Sequence, residues 1–96
     1  MHVGGPVPYD WLRMALSFGG KAGHLSWALW WLVGIERGNP IRLTRQVLSD
    51  FEISTRASRR LLVDFERAGL VSVDRQRGRG PIVTLLPLQQ EEMAYD

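Results

Sequence analysis

The chain has 96 residues, no cysteine and two histidines far apart, which points to one small domain with a single core and excludes a disulfide framework or a thiolate metal site. The net charge of +2 is unevenly placed: residues 1–40 carry +1, residues 41–86 carry nine arginines against five acids for +4, and residues 87–96 carry −3. The longest apolar run, Leu25 to Ile35, falls short of the about 20 residues that a bilayer span needs, and the start MHVGGPVPYD lacks a signal peptide's basic region and apolar core. The expectation is a cytoplasmic protein with no membrane partner.

In chain order, residues 1–8 hold two glycines and two prolines and read as a flexible arm. Tyr9 to Phe18 reads as a short helix, with Asp10 suited to the positive end of its dipole and Gly19 and Gly20 to its stop. The glycine-rich GGKAGH that follows lacks phosphate-loop spacing and reads as a connector. Gly23 to Arg37 reads as the longest helix of this half. Leu25, Ala28, Leu32 and Ile35 form its inward stripe, widened by Leu29 and Trp31, while Trp30 and Val33 point the other way. A helix apolar nearly all round must be covered on more than one face. Residues 9–37 therefore hold surplus apolar area, and Trp11, Trp30 and Val33 are the expected contact of a homodimer. The three tryptophans at 27, 30 and 31 suit packing better than base stacking, because no basic residue is interleaved with them.

Gly38, Asn39 and Pro40 break the chain, and Ile41 to Leu43 alternates like a very short strand. Thr44 is placed to cap a helix over about Arg45 to Phe51, with Val47, Leu48 and Phe51 inward. After a tight turn at Glu52 and Ile53, Ser54 is placed to cap a second helix that runs to Ala68 and stops at Gly69. Ala57, Leu61, Phe65 and Ala68 form its core stripe, flanked by Leu62. The far side carries Thr55, Arg56, Arg59, Val63 and Arg67, with Arg60 near the edge. Two helices joined by so short a turn form a helix-turn-helix, and an arginine face on the second suits insertion into a DNA major groove. Residues 70–73 and 82–86 read as the strands of a β-hairpin, with Pro81 at the start of an edge strand. Arg75 lies at the hairpin's base, and Arg77 and Arg79 at its tip. Residues 87–96 form an acidic tail.

No nucleophile, base or metal ligand has a partner at catalytic spacing, so neither an enzyme nor a cofactor is expected. Eleven of the twelve basic residues are arginine. A GC-rich coding sequence produces that bias, and so does selection for guanidinium forks that match phosphate and guanine edges.

From Leu43 onward, LTRQVLSDFEISTRASRRLLVDFERAGLVSVDRQRGRGPIVTLL resembles the winged helix-turn-helix domains of bacterial DNA-binding regulators. The most telling piece is Leu61-Leu62 followed by Phe65-Glu66-Arg67-Ala68-Gly69-Leu70-Val71, which is similar to the passage from recognition helix into wing in those proteins. The resemblance implies a mainly α fold with a small β-hairpin (α+β). Residues 43–86 would be the helix-turn-helix plus wing, and the Tyr9–Phe18 segment an extra N-terminal helix. It also implies sequence-specific binding of double-stranded DNA in transcription regulation. Thr55, Arg56, Arg59 and Arg60 would meet bases or flanking phosphates from the major groove, Arg56 and Arg59 foremost. Arg75, Arg77 and Arg79 would reach phosphate or the minor groove from the wing, and Thr44, Arg45 and Gln46 would hold a phosphate. The same chemistry would serve a plasmid or phage replication or segregation factor. A winged helix can also act as a protein-interaction adaptor.

Overall fold

The computed structural model describes residues 8–87; the N-terminal arm as far as residue 7 and the acidic tail from residue 88 lie outside them. Among the described residues the chain forms an α+β domain of four helices and a three-stranded antiparallel sheet. The order is α1 (Tyr9–Leu16), α2 (Ala22–Glu36), β1 (Ile41–Arg42), α3 (Arg45–Asp50), α4 (Thr55–Arg67), β2 (Val71–Asp74) and β3 (Ile82–Leu85).

Both N-cap expectations are met. The Thr44 hydroxyl accepts from the Val47 amide at 3.2 Å, and the Ser54 hydroxyl accepts from the Ala57 amide at 3.0 Å. Each satisfies an amide that the first helical turn leaves unpaired. Between the two helices Glu52 adopts a left-handed φ of 60°, and the Ile53 amide returns to the Leu48 carbonyl at 2.8 Å. The Ile53 side chain is buried, which pins the turn to the core. Gly69 ends α4 at φ 79°, a conformation that costs a residue without Cβ little.

Trp11 is the centre of the packing. It is 0 % exposed, its ring stands edge-on to Trp30 at 5.4 Å and to Phe65 at 5.9 Å, and its indole N–H donates to the Leu70 carbonyl at 3.0 Å. One side chain of α1 thus joins α2, α4 and the start of β2. Val33 is buried as well, and Trp30 is half-buried against Trp11. The three residues expected at a dimer contact therefore pack inside a single chain.

The expected inward stripe of α2 also needs correction. Leu25, Ala28, Leu29 and Leu32 are buried, but Trp31 and Ile35 are not. The covered arc of α2 instead runs through Ala22, Ser26 and Val33. The buried Ser26 hydroxyl is satisfied by donating to the Ala22 carbonyl at 2.8 Å. Trp27, at 66 % exposure, Trp31, at 47 %, and Ile35, at 54 %, face outward.

The sheet order is β1-β3-β2, with Val83 opposite Ile41 on one side and Val73 on the other. β3 is thus the central strand and not an edge. Pro81 is tolerated because it lies just before the paired segment, where its missing N–H breaks no ladder bond. Its carbonyl still accepts from the Leu43 amide at 3.0 Å. The Asn39 side chain adds a short side-chain ladder, donating to the Leu85 carbonyl at 2.9 Å and accepting from the Leu85 amide at 3.0 Å.

Candidate nucleic-acid interface

The pairing of β1 with β3 brings the β2–β3 hairpin over the junction of β1 and α3. Arg42 donates through Nη1 to the Gly80 carbonyl at 2.7 Å, and the Gly80 backbone lies so close to Leu43 that a Cβ on it would collide with the Leu43 carbonyl oxygen. Glycine is needed there for close approach, whereas Gly78, at φ 73°, turns the hairpin tip. Arg42 is therefore a brace of the hairpin.

Between the hairpin, the start of α3 and one flank of α4 lies a groove of about 840 Å³. Its floor is apolar, built from Leu43, Leu48, Leu62, Val63 and Pro81. Its walls carry Thr44, Arg45, Thr55, Arg59, Arg75, Arg77 and Arg79, and among the described residues no aspartate or glutamate lines it. Five arginines line the groove and no acid does, and the four that form no ion pair among the described residues give it a positive potential, which a concave wall of low dielectric focuses.

The arginines are not equivalent. The Arg75 guanidinium holds Glu66 with both forks, Nη2 to Oε1 at 2.8 Å and Nη1 to Oε2 at 3.3 Å. That bond holds the Glu66 carboxyl below its ordinary range and raises Arg75 further. Arg75 thus braces the hairpin against the C-terminal half of α4, and its charge is already met. Arg45, Arg59, Arg77 and Arg79 are exposed, and no ion pair with an acid is formed by any of them among the described residues.

Of the residues expected at a DNA site, seven line the groove and three do not. Arg56 and Arg60 are exposed further round α4, beyond the flank that carries Thr55 and Arg59. Gln46 also lies outside it, and its amide donates along α3 to Asp50 at 2.9 Å. The arginine face of α4 and the arginine groove are neighbours, and Arg59 belongs to both. Of the apolar floor, sequence reasoning put Val63 on the outward side of the helix but did not place Leu43, Leu48, Leu62 or Pro81 in the site, nor Gln76 beside them. Leu62 carried a signal, since it sits on the flank of the core stripe at the angle of Ser58, which is itself buried and bonded to the Thr55 carbonyl at 2.9 Å.

Comparison with protein-family models, with curated proteins and with solved structures finds no match to this chain. Among the described residues, no group of histidine, cysteine, aspartate and glutamate is arranged to hold a metal ion, and no helix is long and apolar enough to cross a membrane.

Proposed function

We propose that the chain is a winged helix-turn-helix domain that binds double-stranded DNA sequence-specifically and acts in transcriptional regulation. The observation that carries the reading is the groove beside α4, with five arginines and no acid along it. The helix pair α3–α4, followed by a hairpin whose second strand pairs with β1, supports reading residues 43–86 as helix-turn-helix plus wing.

In this reading α4 enters the major groove with Arg56, Arg59 and Arg60 outward. The hairpin carries Arg77 and Arg79 to the adjoining phosphates or minor groove. The groove between them takes the intervening sugar–phosphate strand, with Arg45 and Thr44 at the start of α3 on its far wall. Arg59, at the border, is the residue best placed to reach either a base edge or a phosphate. Arg75 keeps the hairpin at its distance from α4 and so sets the spacing between the two contacts. Replication or segregation factors would use the same contacts, and the position of the bound site at a promoter or at an origin distinguishes them.

The test is fluorescence anisotropy of a labelled duplex across a salt series, for the wild type and for the Arg56→Ala/Arg59→Ala variant. Binding should weaken linearly on a log–log salt plot. The variant should lose about 1–3 kcal/mol for each base contact removed, or flatten the slope by about one for each phosphate contact removed. A wild type that does not bind at low salt would overturn the reading.

A further inference from the structure

The outward face of α2 is apolar and charge-free, and among the described residues it is left largely exposed. From Ala22 to Ile35 there is no aspartate, glutamate, lysine or arginine, and the titratable group on this helix before Glu36 is His24. Trp27, Trp31, Gly34 and Ile35 share the exposed arc. The Trp31 ring is held by Phe51, the residue that follows α3, tilted against it at 5.8 Å, so a large contact surface is ordered in advance.

We propose that two copies of the chain pair through this face, antiparallel about a two-fold axis close to Trp31. Trp27 and Gly34 are seven residues apart, which puts them on one side of the helix about 10 Å from each other. A two-fold axis midway between them sets Trp27 of each copy opposite Gly34 of the other. The largest side chain on the face then meets the one position without a side chain, twice. A Cβ built on Gly34 would meet nothing within 4 Å, so the hollow that receives the indole is open. Such reciprocity is what an isologous contact requires, and a face without charge brings no like charges together across the axis.

The area also suits a second copy. At about 250 Å² for a whole tryptophan, Trp27 and Trp31 leave roughly 280 Å² uncovered between them. Ile35 and Leu16, both about half exposed, extend that surface, and Leu16 adjoins the face where its side chain lies over Gly23. A standard-size homodimer interface takes about 500 Å² of apolar surface from each partner. None of these residues lines the arginine groove, so pairing leaves both grooves open. The inference stands without the DNA reading. If that reading holds too, the pair carries two reading heads whose spacing is set by the α2–α2 contact.

Sedimentation equilibrium from about 1 to 100 µM, which brackets micromolar dissociation constants, tests the pairing, with far-UV circular dichroism as the control for folding. The wild type should pass from monomer to dimer. Gly34→Leu fills the hollow without touching the core and suits a helix better than glycine, so it should stay helical while its dimer dissociation constant rises at least about tenfold. Trp27→Glu should do the same from the other side of the contact. A wild type monomeric over the whole range overturns the proposal, as do assemblies larger than a dimer or a dimer unchanged in both folded variants. A wild type that dimerises but does not bind DNA at low salt would count against the DNA reading alone.

Discussion

Helices α2 and α4 differ in how much of their setting their own residues dictate. In α4 the apolar and charged residues are sorted to opposite sides, so Leu61, Leu62 and Phe65 go inward and Arg56, Arg59 and Arg60 stay out. In α2 nearly every side is apolar, so its periodicity ranks several arcs almost equally, and the buried one runs through Leu25, Leu29 and Val33 and not through Ile35. A helix with one good face carries its orientation in its sequence. A helix with several takes it from its neighbours, and one surplus face is left for another surface.

The largest effect that sharpens this contrast lies within α2. Leu29 and Ile35 read as members of one stripe, but Leu29 is fully buried and Ile35 is half exposed. Leu29→Ala should cost about 2–5 kcal/mol of unfolding free energy. Ile35→Ala, in urea melts at concentrations low enough to keep the chain monomeric, should stay within about 0.5 kcal/mol of the wild type. Equal losses would mean that Ile35 is packed as tightly as Leu29 and that the two do not lie on different arcs of α2. On α4 the intermediate effect is at the cap. Ser54→Ala leaves the Ala57 amide without its acceptor and should cost about 1 kcal/mol, with faster amide hydrogen exchange in the first turn of α4 and none of that change in α2.

The smallest effect is at the brace between α4 and the hairpin. The Arg75 bond lowers the pKa of Glu66 in the folded chain, so its contribution is present above the unfolded carboxylate value and is lost as pH falls through the lower folded one. The pair is partly exposed, and Glu66→Gln should cost no more than about 0.5 kcal/mol at neutral pH. The difference between variant and wild type should close in acid. A difference that stays constant as the carboxylate is protonated in acid would show that Glu66 acts through packing and not through its charge.

Much of the second half is legible in the sequence alone. Thr44 and Ser54 cap where expected, Ile53 is the buried residue of the turn, and the hairpin strands fall at residues 71–74 and 82–85. These features are local: each depends on residues within a turn or two of one another. Non-local features were not legible. β1 shows two paired residues, too few for its alternation to announce a partner, so β3 read as an edge although it is the middle strand. Arg75 looked like the other hairpin arginines because Glu66, nine residues earlier, is brought beside it by the fold. Trp11 read as surplus surface because nothing in α1 says that Leu70, 59 residues away, will accept its indole proton.

The sequence by itself determined where the helices of residues 44–68 start and turn, which side of α4 is apolar, and that positive charge is concentrated in residues 41–86. Capping, helical periodicity and net charge are properties of neighbouring residues, and the chain carries them wherever it folds. Only the tertiary structure decided that five of the arginines line one groove without an acid, that one of the five is neutralised, and which apolar arc of α2 is left outside. Those outcomes depend on how the sheet aligns the hairpin with α3 and on which helices compete for the same core. They are relations between distant segments, and no local pattern encodes them.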